Sequence, residues 1–235
     1  MHEARLSRRL YAAFLLVEGG KTLADIGTDH GYLPIALVQS GRVPYAIASD
    51  INPLPLQKAR ENIEMEGLSS KVELFLADGA QGLEGKAEEI VIAGMGGELI
   101  ADIVDKARFV HTEGFHMVLQ PMTKIPFVRR YLWDNGFSVL CEKYVEDAGH
   151  FYTVLSVVFT GKNTEYDVLD AEIGKPEHRA NLGEDEKKAL LGEIGLKIFD
   201  LNNKIRGKSA AGINVDAEKC LCDRLVEASA ILEGK

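Results

Sequence analysis

From residue 22 to about residue 160, short apolar runs alternate with helical stretches, and few architectures accept that pattern. The runs at 22–26, 45–49, 72–76, 90–93 and 115–120 are nearly all apolar, as expected of parallel strands buried on both faces. Helical segments at 33–40, 54–66, 98–109 and 126–135 separate them. Such alternation implies βαβ crossovers and an α/β, Rossmann-like, doubly wound sheet. Two further runs, 137–144 and 151–159, have no helix between them. They are joined by Glu146-Asp147-Ala148-Gly149-His150, which predicts a terminal antiparallel hairpin.

Beyond residue 159 the pattern changes. Residues 160–164 are polar and turn-like, and past about residue 184 no strand signal remains. Leu190, Ile194, Ile198, Leu201 and Ile205 recur at helical spacing, as do Leu221, Leu225, Ala228 and Leu232, with Gly207, Gly212 and Asn214 interrupting the two series. Each stripe must be buried against the other, so the reading is a two-helix, coiled-coil-like extension. The chain thus divides into residues 1–160 and a helical part at 161–235.

The sharpest chemistry lies in Leu23-Ala24-Asp25-Ile26-Gly27-Thr28-Asp29-His30-Gly31. A strand feeding a tight glycine turn that opens a helix is where a Rossmann-like sheet holds a nucleotide. A dinucleotide site aims backbone N–H groups at a pyrophosphate, and a carboxylate at Asp29 would repel it. S-adenosyl-L-methionine brings an ammonium and a sulfonium instead. Asp25 and Asp29 beside Gly27 and Gly31 suit that cation better than NAD, with Thr28 and His30 completing the set. A plain strand-to-helix turn capped by Thr28 or Asp29 is the alternative.

Later strand ends add candidates. Asp50, followed by Ile51 and Asn52, ends the second run, where an acid can accept both ribose hydroxyls or cap the next helix. Asp78 and Gly79 follow the third, where an acid can face an adenine amino group or simply form a turn. The fourth ends in Ala93-Gly94-Met95-Gly96-Gly97, leaving bare backbone at the switch point of the sheet, open to a planar base or the methyl donor. Gln120, ending the fifth, offers a donor and an acceptor to a base edge, or is only a polar strand end. Met95, Gln120 and Asp29 are the candidates for the acceptor side. No Asn/Asp-Pro-Pro-aromatic segment occurs at the fourth strand, which counts against methylation of an exocyclic amine.

Composition narrows the partners. A net charge of −9 argues against non-specific coating of nucleic acid but allows a local basic patch. No apolar stretch approaches the ~20 residues of a membrane span, and no signal-peptide cleavage site follows the basic start, so a cytoplasmic protein without membrane contact is expected. Three sparse cysteines (Cys141, Cys220 and Cys222) fit a reducing compartment and suggest no metal site.

Together, Asp25 to Gly31, Ser49-Asp50-Ile51-Asn52, Ala93 to Gly97 and Leu119-Gln120-Pro121 resemble the bacterial tRNA adenine-N1 methyltransferase family that modifies nucleotide 22 of tRNA. The terminal hairpin and the helical extension agree with that resemblance, the hairpin being a feature of class I methyltransferase sheets. It implies an S-adenosyl-L-methionine-dependent enzyme, a tRNA substrate and N1-methyladenosine as product. Adenine N1 has a free lone pair at neutral pH, so no general base is needed. Asp29 then either faces the positive charge developing on the ring, accepts from the N6 amino group, or binds the ammonium of the donor.

Arg5, Arg8 and Arg9 share one side of a helix-like start, and Lys124, Arg129 and Arg130 follow the fifth strand, giving six cations for tRNA phosphates. The C-terminal helices either clamp RNA or dimerise, so the choice between monomer and weak homodimer stays open. Alternatives are a methyltransferase for a small molecule or protein, a catalytically silent RNA-binding protein that keeps the cofactor site, and, least favoured, an NAD-dependent dehydrogenase.

Overall fold

The structure, a computed structural model, describes residues 6–234. Helix α1 (Arg8–Leu16) precedes β1 (Leu23–Ile26), α2 (Tyr32–Gln39), β2 (Ala46–Asp50), α3 (Pro53–Met65), β3 (Val72–Leu76), β4 (Glu89–Gly96) and α4 (Gly97–Lys106). Then follow β5 (His116–Thr123), α5 (Ile125–Asp134), β6 (Phe137–Asp147) and β7 (His150–Phe159). The seven strands form one sheet in the order β3-β2-β1-β4-β5-β7-β6. Among the seven, β7 alone runs opposite to the rest, pairing antiparallel with β5 on one side and β6 on the other. Strand order reverses between β1 and β4, so their carboxyl ends frame the crevice where such sheets hold ligands.

Successive residues of a strand point to opposite faces, so each buried strand feeds two cores. Leu23, Val91 and Val118 pack with Ala13 and Leu37 on the α1–α3 side. Ile26, Ile92 and Leu119 pack with Ile100 and Trp133 on the α4–α5 side. In β1, β2, β4 and β5 the apolar runs mark the buried part of the strand and miss its ends, for β4 and β5 continue to Gly96 and Thr123. The 72–76 run departs from the expected burial on both faces: as β3 it lies at the edge of the sheet, with Val72 buried and Leu76 exposed. Gly94, at φ 79°, sits where the register shifts between Ala93 and Met95. The hairpin connection is tighter than its sequence suggests. Only Ala148 (φ 51°) and Gly149 (φ 78°) lie between the strands, a pair of positive φ angles that matches the strand twist.

Gly97 is required by contact. A Cβ there would lie 2.6 Å from the Thr123 carbonyl oxygen and 2.7 Å from Val128 Cγ2, both on the β5–α5 side. Gly97→Ala should therefore cost about 1–3 kcal/mol in urea denaturation; a neutral effect would mean the α4–α5 contact is slack.

The polar stretch after β7 holds two helices too short to show periodicity, α6 (Val168–Ile173) and α7 (Pro176–Arg179). They are followed by α8 (Glu184–Ala210) and α9 (Asp216–Glu233). Gly207 does not interrupt α8; the break comes at Gly212, φ 68°. Leu190, Ile194, Leu225 and Ala228 are buried between α8 and α9, whereas Ile198, Leu201 and Ile205 are only half-buried. The early turns of α8 rest on the hairpin, where glycine at 192 leaves room for the Phe151 ring. Tyr144 of β6 completes this third core.

One expected RNA contact is overturned here. Arg129 is wholly buried, its Nε and Nη2 donating to both oxygens of the equally buried Glu142 at 3.0 and 2.6 Å. Its Nη1 donates to the carbonyls of Ala171 and Glu172, and Tyr144 donates to Glu142 Oε2 and the Ile173 carbonyl. Arg129 therefore ties α5 and β6 to α6 and has no charge to offer solvent.

Candidate functional site

Local sequence builds the turn after β1. Gly27 (φ 79°) and Gly31 (φ 71°) take left-handed angles that bring the chain round into α2. A Cβ at Gly27 would collide with Met95 Cε, so the Met95 side chain lies across the bare glycine. The turn opens on a cleft of about 410 Å³, lined by Asp25, Gly27, Thr28, Asp29, His30, Gly31, Tyr32 and Leu33 on one side. Ala93 and Gly94 of β4 and Ser7, Arg9 and Leu10 at the start of α1 complete it. That volume suits a small cofactor.

Asp25 is buried at the floor, with 6% of its surface exposed. Burial pushes its carboxyl up to about 6, against the opposing pull of the nearby Thr28 hydroxyl and with a smaller push from the Asp50 carboxylate. The Thr28 hydroxyl is buried and, among the described residues, has no hydrogen-bond partner. A buried acid, an unpartnered hydroxyl and bare glycine backbone fit a ligand that brings positive charge and donors, as S-adenosyl-L-methionine does. Asp29 is exposed at the mouth, 3.3 Å from His30 Nε2, and the His30 ring stacks on Tyr32 at 5.2 Å.

Other candidates sit outside this cleft. Asp50 is half-buried at the end of β2, its Oδ1 accepting from Asn52 N at 2.7 Å, with Ile51 and Asn52 exposed beside it. Asp78 and Gly79 line a separate cavity of about 290 Å³ against α4. Gly96 caps α4.

Gln120 is not free to read a base edge. It is fully buried, and its Oε1 accepts from Gly94 N and Arg9 Nη1, each at 3.0 Å. Its Nε2 donates to the Pro121 carbonyl at 3.1 Å. The side chain is spent on holding the β4 bulge and α1, because β5 continues past it instead of ending there.

The basic residues do not form one patch. Arg5 lies outside the described residues, Arg8 is exposed on a groove with Lys143, and Arg9 enters the cleft. Lys124 is exposed and pairs with Glu98 at 2.6 Å, and Arg130 is half-buried. Ser7 and Leu10 were missed by the sequence reading. Ser7 accepts from Leu10 N as the cap of α1, a helix-start signal that says nothing of where the helix docks. Among the described residues no helix is long and apolar enough to cross a membrane, and no cluster of metal-ligating side chains occurs.

Residues 6–155 match the family described as "Methyltransferase domain". The chain is 33% identical over 175 residues to the tRNA (adenine(22)-N(1))-methyltransferase of Bacillus subtilis (strain 168), covering 74% of each. The crystal structure of the B. subtilis m1A22 tRNA methyltransferase TrmK superposes with a TM-score of 0.78 at 26% identity, over 97% of both chains. A Streptococcus pneumoniae structure solved in complex with S-adenosyl-L-methionine gives 0.79 at 28% identity, over 94% of this chain and 99% of that one. With the fold, the cleft and the similarity running together along most of its length, the chain belongs to the tRNA (adenine(22)-N1)-methyltransferase family.

Proposed function

We propose that the chain transfers the methyl group of S-adenosyl-L-methionine to N1 of adenine 22 in tRNA, in the cytoplasm. The observation that carries this reading is the cleft at the carboxyl ends of β1 and β4, with its buried acid and unpartnered hydroxyl, in a chain related to enzymes of that reaction. When bound, S-adenosyl-L-methionine supplies an electrophilic methyl group on a positively charged sulfur. Asp25 would take the ammonium and Thr28 a hydrogen bond. Asp50 would take the ribose, with Ile51, Asn52, Asp78 and Gly79 towards the adenosine end.

Adenine N1 carries its own lone pair, so no residue of the cleft has to remove a proton. The work left to the chain is to hold N1 in line, exclude water and put negative charge near a ring that becomes positive. Asp29, exposed at the mouth, is the carboxylate we assign to that role. The base must first leave its stack, at a cost of a few kcal/mol. Arg8, Lys124 and Arg130 would meet phosphates, and the helices of 161–235 would clamp the body of the tRNA.

The test is incubation of the protein with unmodified tRNA transcripts and methyl-labelled cofactor, followed by nucleoside mass spectrometry. N1-methyladenosine is expected at position 22. Asp29→Ala should slow its formation about tenfold while cofactor binding holds. Clear cofactor binding with no methylated nucleoside would sink the tRNA assignment.

A further inference from the structure

Arg9 stands in an unusual electrostatic position. It lines the cleft half-buried, and it is the one lysine or arginine to do so among the described residues. Its guanidinium lies against Gly94, 3.4 Å from where a Cβ would stand. The partner of that guanidinium among the described residues is the neutral Gln120 amide, through Nη1 alone. The neighbouring Asp147 carboxylate bonds the Arg9 backbone N–H instead, at 3.2 Å.

Among the described residues no carboxylate pairs with the Arg9 guanidinium, although Asp25 and Asp29 line the same cleft. A half-buried cation left in that state is costly, and one that lines a cavity is a receptor for an anion. Gln120 makes the arrangement rigid. Fully buried and bonded at both ends of its amide, it presents one oxygen to Gly94 N and Arg9 Nη1, so the β4 bulge and the guanidinium are set by a single side chain.

We propose that Arg9, aimed by Gln120, is an oxyanion receptor of the cleft, and that Gln120 is its positioning residue. The proposal rests on the methyltransferase reading above. Two oxyanions reach this cleft in that reaction: a phosphate flanking the acceptor nucleotide, and the carboxylate of the cofactor. Both would be met by the planar fork of donors that an arginine carries and a lysine lacks.

Binding, measured separately for each ligand, tests this without recourse to turnover. Affinity for S-adenosyl-L-methionine is read by calorimetry, and affinity for a tRNA transcript across a salt series, for wild type, Arg9→Gln, Arg9→Lys and Gln120→Glu. If the anion is a phosphate, Arg9→Gln weakens tRNA binding about tenfold or more and lowers the salt slope by about one, leaving cofactor binding intact. If it is the carboxylate, cofactor affinity falls by a similar factor and the salt slope holds. Arg9→Lys should restore only part of either loss.

Gln120→Glu separates a receptor from a brace. It gives Arg9 an internal counter-ion, which would strengthen a purely structural bond yet quench a receptor, so the same affinity should fall although Arg9 is still present. Melting temperatures confirm that each variant folds. Unchanged affinities for both ligands in a folded Arg9→Gln protein would overturn the proposal. A wild-type protein that binds neither ligand would instead bring down the reading beneath it.

Discussion

Replacing Glu142 by leucine should cost about 3–5 kcal/mol, because it strands the Arg129 guanidinium in the interior with nothing to neutralise it. In a chain of this length that is a fall of roughly 10 °C in melting temperature. Burial alone would push the Glu142 carboxyl up. Burial is the largest single influence, yet the Arg129 charge, hydrogen bonds from His178 and Arg129 and the nearby His178 together outweigh it and hold the carboxyl at about 2. An acid lowered by folding contributes stability above its unfolded value, here near 4.5, and that stability is lost as pH falls towards 2. The wild type should therefore weaken between those limits, and the variant should show a flatter dependence. Urea denaturation at neutral and acid pH checks both. The double change Arg129→Met with Glu142→Leu should recover much of the loss, since it removes both charges from the core. A single-variant cost under about 1 kcal/mol would show that water reaches the pair.

Asp25→Asn should have the opposite character, stabilising the ligand-free protein while spoiling its site. An acid raised by burial favours the folded state only when protonated. Its stabilising contribution is present below the unfolded value of 3.8 and is lost as pH rises through about 6. At pH 7 the buried carboxylate is thus a burden of about 3 kcal/mol, which asparagine lifts. The same change removes the negative charge we assign to the cofactor ammonium, and affinity should drop roughly 10- to 100-fold. Wild-type affinity should also fall about tenfold between pH 7 and pH 5, with Asp25→Asn flat over that range. Calorimetry at several pH values reads this directly. A wild-type affinity independent of pH would remove Asp25 from the role.

These two acids illustrate what a sequence exposes and what it hides. Asp25 was legible because its chemistry is contiguous: strand, glycine turn and helix follow one another within a few residues, and local geometry alone aims them at one crevice. The alternating apolar runs were legible for the same reason, since burial on both faces writes itself into each central strand. Strand ends were less so, because the apolar signal stops where the core does, and β4 and β5 go on beyond it.

Charged residues gave no such signal. Arg8 and Arg9 are adjacent in the chain, as are Arg129 and Arg130, yet the members of each pair part company in the fold. Arg8 faces solvent and Arg9 enters the cleft, while Arg129 is sealed against Glu142 and the carbonyls of α6. Gln120 went the same way, from a free amide at a strand end to a buried brace between β4 and α1. The sequence by itself determined the order of elements, the site turn and the family, because each rests on residues close together in the chain. Only the tertiary structure decided which cation meets solvent, which meets a buried carboxylate and which lines the cleft. That choice depends on partners far along the chain, and on the energetic demand that a buried charge be neutralised.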